Sequence, residues 1–230
     1  APLVNGLLYK PATVSPIGPL VWLWNDDFAN PGGAYPHLLH RPALTQTFDT
    51  AAGAFTVSVN HLKSKGCRPT PVGPDNDAGG GASCFNHARM VGALALLEWF
   101  ANDPTNTQQH LGTYDPDVLI IGDLNAHPAE DPIAALKAGW DGVPGNADDW
   151  VDLLAPGDYS YVFRGRAGRL DHAIASPSLA AQVSGTGVWH INADESGAFG
   201  YPEDHPAPAA LYVVDPYRSS DHDAIVVGVH

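Results

Sequence analysis

Four short polar clusters hold the side chains best suited to chemistry. They are Asn60-His61 in VNHLKSKG, Asp123 and Asn125 in IIGDLNA, Asp171-His172 in RLDHAIAS, and Asp221-His222-Asp223 in SSDHDAIVV. Each adjoins an apolar run that can anchor it. These residue types suit phosphoryl transfer. A phosphodiester is anionic and repels a nucleophile, so its hydrolysis needs a cation, a base for water, and donors for the charge that builds in the transition state. Asp and Asn oxygens suit hard Mg²⁺, Mn²⁺ or Ca²⁺. Neutral His can take a proton near neutral pH, and a neighbouring carboxylate can fix its tautomer and steady the imidazolium. One such cluster alone reads as a turn former or a satisfied core group; four in one chain point to a site.

Other chemistries lack their signatures. The 11 histidines are scattered, with no His-x-x-x-His and no paired Cys motif for zinc. No Gly-x-Ser-x-Gly elbow occurs, and Gly79-Gly80-Gly81 lacks the Lys-Ser/Thr ending of a phosphate loop.

The elements that must position these clusters are short. Apolar runs predict strands at residues 4–9, 21–24, 44–48, 55–62, 118–121 and 224–229, and a hairpin of residues 159–163 and 169–175 around the intervening Arg/Gly segment. Asn30-Pro31-Gly32-Gly33 predicts a turn. Met90, Leu94 and Leu97, flanked by Val91 and Ala95, predict the best helix, stopped by Asn102-Asp103-Pro104. Asp131-Pro132 opens a second helix that Gly139 closes. The 21 prolines and 24 glycines favour turns over long helices. Strands outnumber helices, which predicts a sheet sandwich with helices outside.

With 230 residues and 44% hydrophobic content, the chain can bury one substantial core. No stretch approaches the roughly 18 apolar residues of a membrane helix, and the opening Ala1-Pro2-Leu3 lacks the basic start of a signal peptide. Twenty-five carboxylates against 11 basic residues give a net charge of −14. That excludes a broad electrostatic embrace of nucleic acid but not an enzyme meeting phosphate through a metal ion. Lys63, Lys65, Arg68, Arg164, Arg166 and Arg169 form two local basic patches, readable as solvated loops or as arms for backbone phosphates. Cys67 and Cys84 bracket a Pro/Gly/Asp-rich loop. They could be a disulfide, half a metal site or two thiols; a disulfide is the expectation, worth about 3 kcal/mol by loop entropy, and it implies an oxidising compartment.

Taken in order, VNHLKSKG, GDLNA, LDHAIAS and SDHDAIVVG resemble the endonuclease/exonuclease/phosphatase family, and within it the secreted bacterial nucleases. The likeness runs from Gly6-Leu7-Leu8-Tyr9-Lys10-Pro11 through Arg41-Pro42, both cysteines and Trp189-His190-Ile191-Asn192-Ala193-Asp194 to the last strand. The resemblance implies an α/β fold, a four-layer α/β/β/α sandwich of two mixed sheets, with residues 1–230 forming the C-terminal two-thirds of the catalytic domain. It implies a secreted, Mg²⁺-dependent (or Mn²⁺/Ca²⁺-dependent) nuclease acting on DNA before RNA, with no membrane span. Asp221, Asp123 and Asn125 would bind metal. His222 would be the general base, oriented by Asp171. His61 would contact the phosphate or protonate the leaving oxygen. Arg41 and Asn60 would lie on the substrate side, Arg41 touching a phosphate and Asn60 chiefly supporting backbone geometry. Family members carry, ahead of the segment matching Gly6 to Pro11, a strand with an Asn and a strand with a metal-binding Glu. This sequence has no such region, and Glu98, Glu130, Glu195 and Glu203 do not replace that Glu by motif. A separate N-terminal fragment is therefore an expected partner. The competing readings are a phosphodiesterase or phosphatase acting on a lipid or small phosphoester, and a non-catalytic truncated relative that needs a second chain.

Overall fold

In a computed structural model of the chain, the structure describes residues 4–24, 40–76, 81–199 and 215–230. The elements in chain order are β1 (Ser15–Leu23), β2 (Arg41–Asp49), β3 (Ala54–His61), α1 (Asn86–Ala101), α2 (Thr107–Leu111), β4 (Val118–Asp123), α3 (Asp131–Lys137), β5 (Val151–Asp152), β6 (Tyr161–Phe163), β7 (Arg166–Gly168), β8 (Asp171–Ala175), α4 (Pro177–Ala180), β9 (Val183–Trp189) and β10 (Ala224–Val229). Six strands form one mixed sheet in the order β1-β2-β3-β4-β8-β5, while β10 pairs with β9, and β6 with β7. Among the described residues β3 and β4 run parallel, and the other ladders of the large sheet are antiparallel.

Alternation along the strands decides what each face meets. On one face Val118 and Ile120 of β4 and Ile174 of β8 pack with Leu96, Leu97 and Phe100 of α1 and with Ile133 and Leu136 of α3. On the other face Leu119, Ala173 and Ala175 meet Ile225, Val227 and Val229 of β10. Helices, large sheet and small sheet are thus three layers among the described residues. This is a mixed α/β fold consistent with the expected sandwich. Among the described residues no helix is long and apolar enough to cross a membrane.

Several elements differ from expectation for local reasons. Residues 4–9 form no strand; an apolar run needs a ladder partner, and here Leu8 is fully exposed while Asn5 is buried, its Nδ2 donating to the carbonyls of Pro42 and Val59. The buried stripe of α1 is Arg89, Gly92, Ala93, Leu96, Leu97 and Phe100, so Leu94 faces out and the anticipated stripe is rotated. The shift admits Arg89, fully buried, whose guanidinium donates to the carbonyls of Lys63, Cys84 and Ala82. Cys67 and Cys84 form a disulfide that closes the same loop. The hairpin is tighter than anticipated. Phe163 pairs with Arg166 across Arg164-Gly165, both at positive φ (52° and 75°), the pattern of a two-residue type I′ turn. Residues 171–175 instead join the large sheet. The turn expected at Asn30 to Gly33, like Gly79 and Gly80, lies outside the described residues.

Buried His40 supports the strand ends from behind. The backbone N–H of Lys63 donates to its Nδ1 at 3.1 Å, which requires that nitrogen to be unprotonated. Burial, with Arg89 and Lys63 nearby, lowers its pKa to about 4. The folded pKa lies below the unfolded one, so only the unfolded chain binds this proton between roughly pH 6.5 and 4. Stability carried by neutral His40 is present above that window and is lost as pH falls through it, by about 3 kcal/mol at the limit. Thermal melts from pH 7 to 4 are expected to fall more steeply for the parent than for His40→Asn; parallel pH slopes would remove His40 from this role.

Candidate active site

Register brings the functional groups into one row. Arg41 pairs with His61, His61 with Asp123, and Asp123 with Asp171, across the adjacent strands β2, β3, β4 and β8. Alternation places all four on the face that receives the small sheet, at the C-terminal ends of β3 and β4. His222 reaches the row from the segment before β10, where it bridges to Tyr161 at the start of β6. Its Nδ1 lies 2.6 Å from Asp171 Oδ2. Ser160 Oγ donates to the same carboxylate oxygen at 2.7 Å, so Asp171 is held from two sides.

Asp123 is fixed by the turn that follows its strand. The Asn125 backbone N–H donates to Asp123 Oδ1 at 2.8 Å and its Nδ2 to Oδ2 at 3.0 Å, while Nδ2 also donates to the Leu62 carbonyl at 3.1 Å. Asn125 takes φ 49°, a left-handed conformation that Asn tolerates better than most residues. Gly122, at φ 130°, lets β3 and β4 approach here, since a Cβ would stand 2.1 Å from the Asn60 carbonyl oxygen. His61 Nε2 is 3.3 Å from Asp123 Oδ2, and the Arg41 guanidinium lies against the His61 ring.

The row separates its two imidazoles electrostatically. Burial and the charges of Arg41 and His222 lower the His61 pKa to about 4, so its 3.3 Å approach to Asp123 is that of a neutral ring rather than an ion pair. Burial opposes charging of His222 as well, but the Asp171 hydrogen bond and the charges of Asp171, Asp123 and Asp221 outweigh it and raise that pKa to about 9. Burial and the neighbouring Asp171 push Asp123 up to about 6. Two crowded carboxylates, one of them forced toward its neutral form, suit a bound cation. Ligand atoms of Asp123, Asp171 and His222 lie within 4.8 Å of one another, and oxygens dominate the set.

Adjacent residues in the sequence clusters part company here. His61 enters the row, but Asn60 turns to the helix side, 2% exposed, with Nδ2 donating to the Ser58 carbonyl and hydroxyl. Alternation thus places its side chain away from the row, where it supports the backbone of its own strand. Asp171 enters the row, but His172 is fully buried, with Nε2 2.8 Å from the Ala126 carbonyl. Asp221 is exposed and stands outside the group formed by Asp123, Asp171 and His222, although its charge reaches His222 and Tyr161. Asp223 is buried and accepts from the backbone N–H groups of Ile191, Asn192 and Ala193 and from His190. Of the basic residues, half-buried Lys65 pairs with Glu130 and buried Arg169 with Asp152; Arg164 and Arg166 stay exposed at the hairpin. Ser160 and Tyr161 had no signal in the sequence, and Asn192 had only its place in the Trp189 to Asp194 likeness, because each acts through a contact distant in the chain.

A mixed sheet thus gathers carboxylates and imidazoles at its strand ends. The chain belongs to the Endonuclease/Exonuclease/phosphatase family, which it matches over residues 8–222. Members of this family are typically hydrolytic phosphoesterases and generally depend on a divalent metal. No curated protein matches the chain. Among solved structures, the family protein from Bacteroides vulgatus is similar at 13% identity and TM-score 0.50, covering 96% of this chain and 69% of its own. A functionally unknown conserved protein from Enterococcus faecalis is similar at 16% identity and TM-score 0.50, again over 96% and 69%. D. rerio TDP2 complexed with single strand DNA product is similar at 13% identity and TM-score 0.50, over 94% and 68%. The chain spans 43% of the human Nocturnin catalytic domain.

Proposed function

We propose that the chain is a secreted, divalent-metal-dependent nuclease that hydrolyses phosphodiester bonds, in DNA before RNA. The observation that carries this reading is the His222–Asp171 pair at 2.6 Å beside Asp123 and the Arg41–His61 contact, all on one sheet face. His222 in its neutral form takes the proton of the attacking water, with Asp171 holding its Nδ1 and stabilising the imidazolium; the carboxylates that raise its pKa to about 9 keep that form scarce at neutral pH, and a cation bound among them would restore it. Asp123 and Asp171 would hold the cation, with Asn125 fixing Asp123. When bound, the cation supplies charge neutralisation for the phosphate and lowers proton affinity around it. Arg41 and neutral His61 offer N–H donors to the phosphate oxygens. The Cys67–Cys84 disulfide supports an oxidising compartment. The likeness of the motifs to secreted bacterial nucleases, and a fold that in D. rerio TDP2 holds single strand DNA product, support a polynucleotide substrate.

Supercoiled plasmid incubated with the protein and Mg²⁺ or Mn²⁺ is expected to be nicked, and to be spared when a chelator is in excess. Intact plasmid and intact RNA with every divalent ion, while a small phosphomonoester is hydrolysed, would overturn the polynucleotide assignment in favour of a phosphatase.

A further inference from the structure

One feature at the edge of the site plays no part in the chemistry above. The ring of Tyr161 lies 4.6 Å from that of His222, centroid to centroid, tilted by 35°. Two residues on, and so on the same face of β6, Phe163 lies 6.2 Å from Tyr161 at an interplanar angle of only 15°. The guanidinium of Arg164 sits 5.1 Å from the Phe163 ring centroid. Three rings and a cation therefore form a row that starts on His222 and ends at the tip of the β6–β7 hairpin.

A single exposed Phe needs no explanation. Phe163 is different in its company. It is 55% exposed and lies on the continuation of the site rather than over the core. Its neighbours across the turn, Arg164 and Arg166, are exposed cations in a chain of net charge −14. The tight Arg164-Gly165 turn brings the backbone of both arginines beside Phe163, and the Arg164 guanidinium lies against its ring. Parallel rings at the spacing of alternate strand residues, flanked by cations, are the combination that holds unpaired bases: the π-face takes any base and the cations take the phosphates between them.

We propose that the β6–β7 hairpin is a stacking platform for a single-stranded stretch of polynucleotide next to the phosphate being cleaved, with an unpaired base on Phe163 and the adjoining backbone phosphate at Arg164 and Arg166. This deepens the nuclease reading and rests on it for the orientation of the strand. Charge complementarity and continuity with the His222 site select this occupant. A paired duplex would keep its bases in its own stack and away from Phe163.

The test is binding in excess chelator, where no cleavage occurs. The probe is a single-stranded oligodeoxynucleotide carrying 2-aminopurine, whose fluorescence is quenched on stacking. The parent is expected to bind and quench. Phe163→Ala is expected to bind about 5- to 100-fold more weakly, Phe163→Trp to retain binding, and an oligonucleotide with abasic residues to bind parent and Phe163→Ala equally. Arg164→Ala should weaken binding mainly at low salt. Binding by Phe163→Ala within twofold of the parent, or no binding by the parent, overturns the platform. A platform effect without plasmid nicking would uphold this inference and sink the nuclease reading; nicking with no effect of Phe163 would do the reverse.

Discussion

His222→Ala is expected to lower the rate of phosphodiester hydrolysis by about 10²- to 10⁴-fold at saturating metal, the range for loss of a positioned proton-transfer group. The imidazole is held by Asp171 at 2.6 Å and lies partly buried beside Tyr161, so truncation removes a positioned proton carrier and leaves Asp171 with only the Ser160 hydroxyl. Asp171→Asn is the sharper companion. It keeps the shape but presents no charge to stabilise the imidazolium, and it should fall in the same range while far-UV circular dichroism stays unchanged. At saturating metal, where loss of Asp171 as a cation ligand is offset, the two residues act through one contact and the double variant should lose little beyond either single one. Initial-rate measurements decide this. A His222→Ala protein within threefold of the parent rate would end the assignment of proton transfer to this ring.

The Asp171–His222 contact also shows how far the sequence could be read. The strands that carry the clusters were legible because each cluster borders an apolar run: β3, β4 and β10 stand where periodicity put them. The family likeness was legible because its motifs keep their order along the chain. Within each cluster, however, sequence adjacency conceals a division of labour. In a strand, neighbours point to opposite faces, so His61 and Asn60, or Asp171 and His172, cannot both line one site. Choosing between them requires knowing which face the second sheet covers, and that depends on where β10 packs. Arg89 was invisible for a related reason. Its stripe is set by the helix's rotation against the sheet, and a guanidinium satisfied by three carbonyls is no obstacle to burial. Asp221 and Asp223 illustrate the same difficulty at a loop, where two carboxylates flank one His and only the fold tells which is buried.

Asp223→Ala is expected to be among the most destabilising single changes in the chain, by about 3–6 kcal/mol. Burial by itself would raise the pKa of this carboxyl, but the N–H donors of Ala193 and Asn192 and the His190 ring hold it below the usual carboxylate range. One oxygen, Oδ1, collects the N–H groups of Ile191, Asn192 and Ala193 at 2.9–3.1 Å. Truncation strands all three, and each buried donor left unpaired costs about 1–3 kcal/mol. Asp223→Asn keeps an acceptor oxygen and should lose much less, so the gap between the two variants in chemical denaturation measures the stranded donors. The consequence reaches the chemistry as well. Asn192 Nδ2 donates to the His222 carbonyl at 2.8 Å, and the Asp223 N–H donates to the Ser160 carbonyl at 2.7 Å, so the 190–194 turn, Ser160 and His222 are tied together through Asp223. A shift of even 1 Å in a reacting group can cost about a hundredfold in rate. Asp223→Ala, assayed at a temperature where it remains folded, should therefore lose about 10- to 100-fold in activity with a smaller change in KM. An Asp223→Ala protein that melts with the parent and turns over at the parent rate would show that the turn holds its shape without this carboxylate.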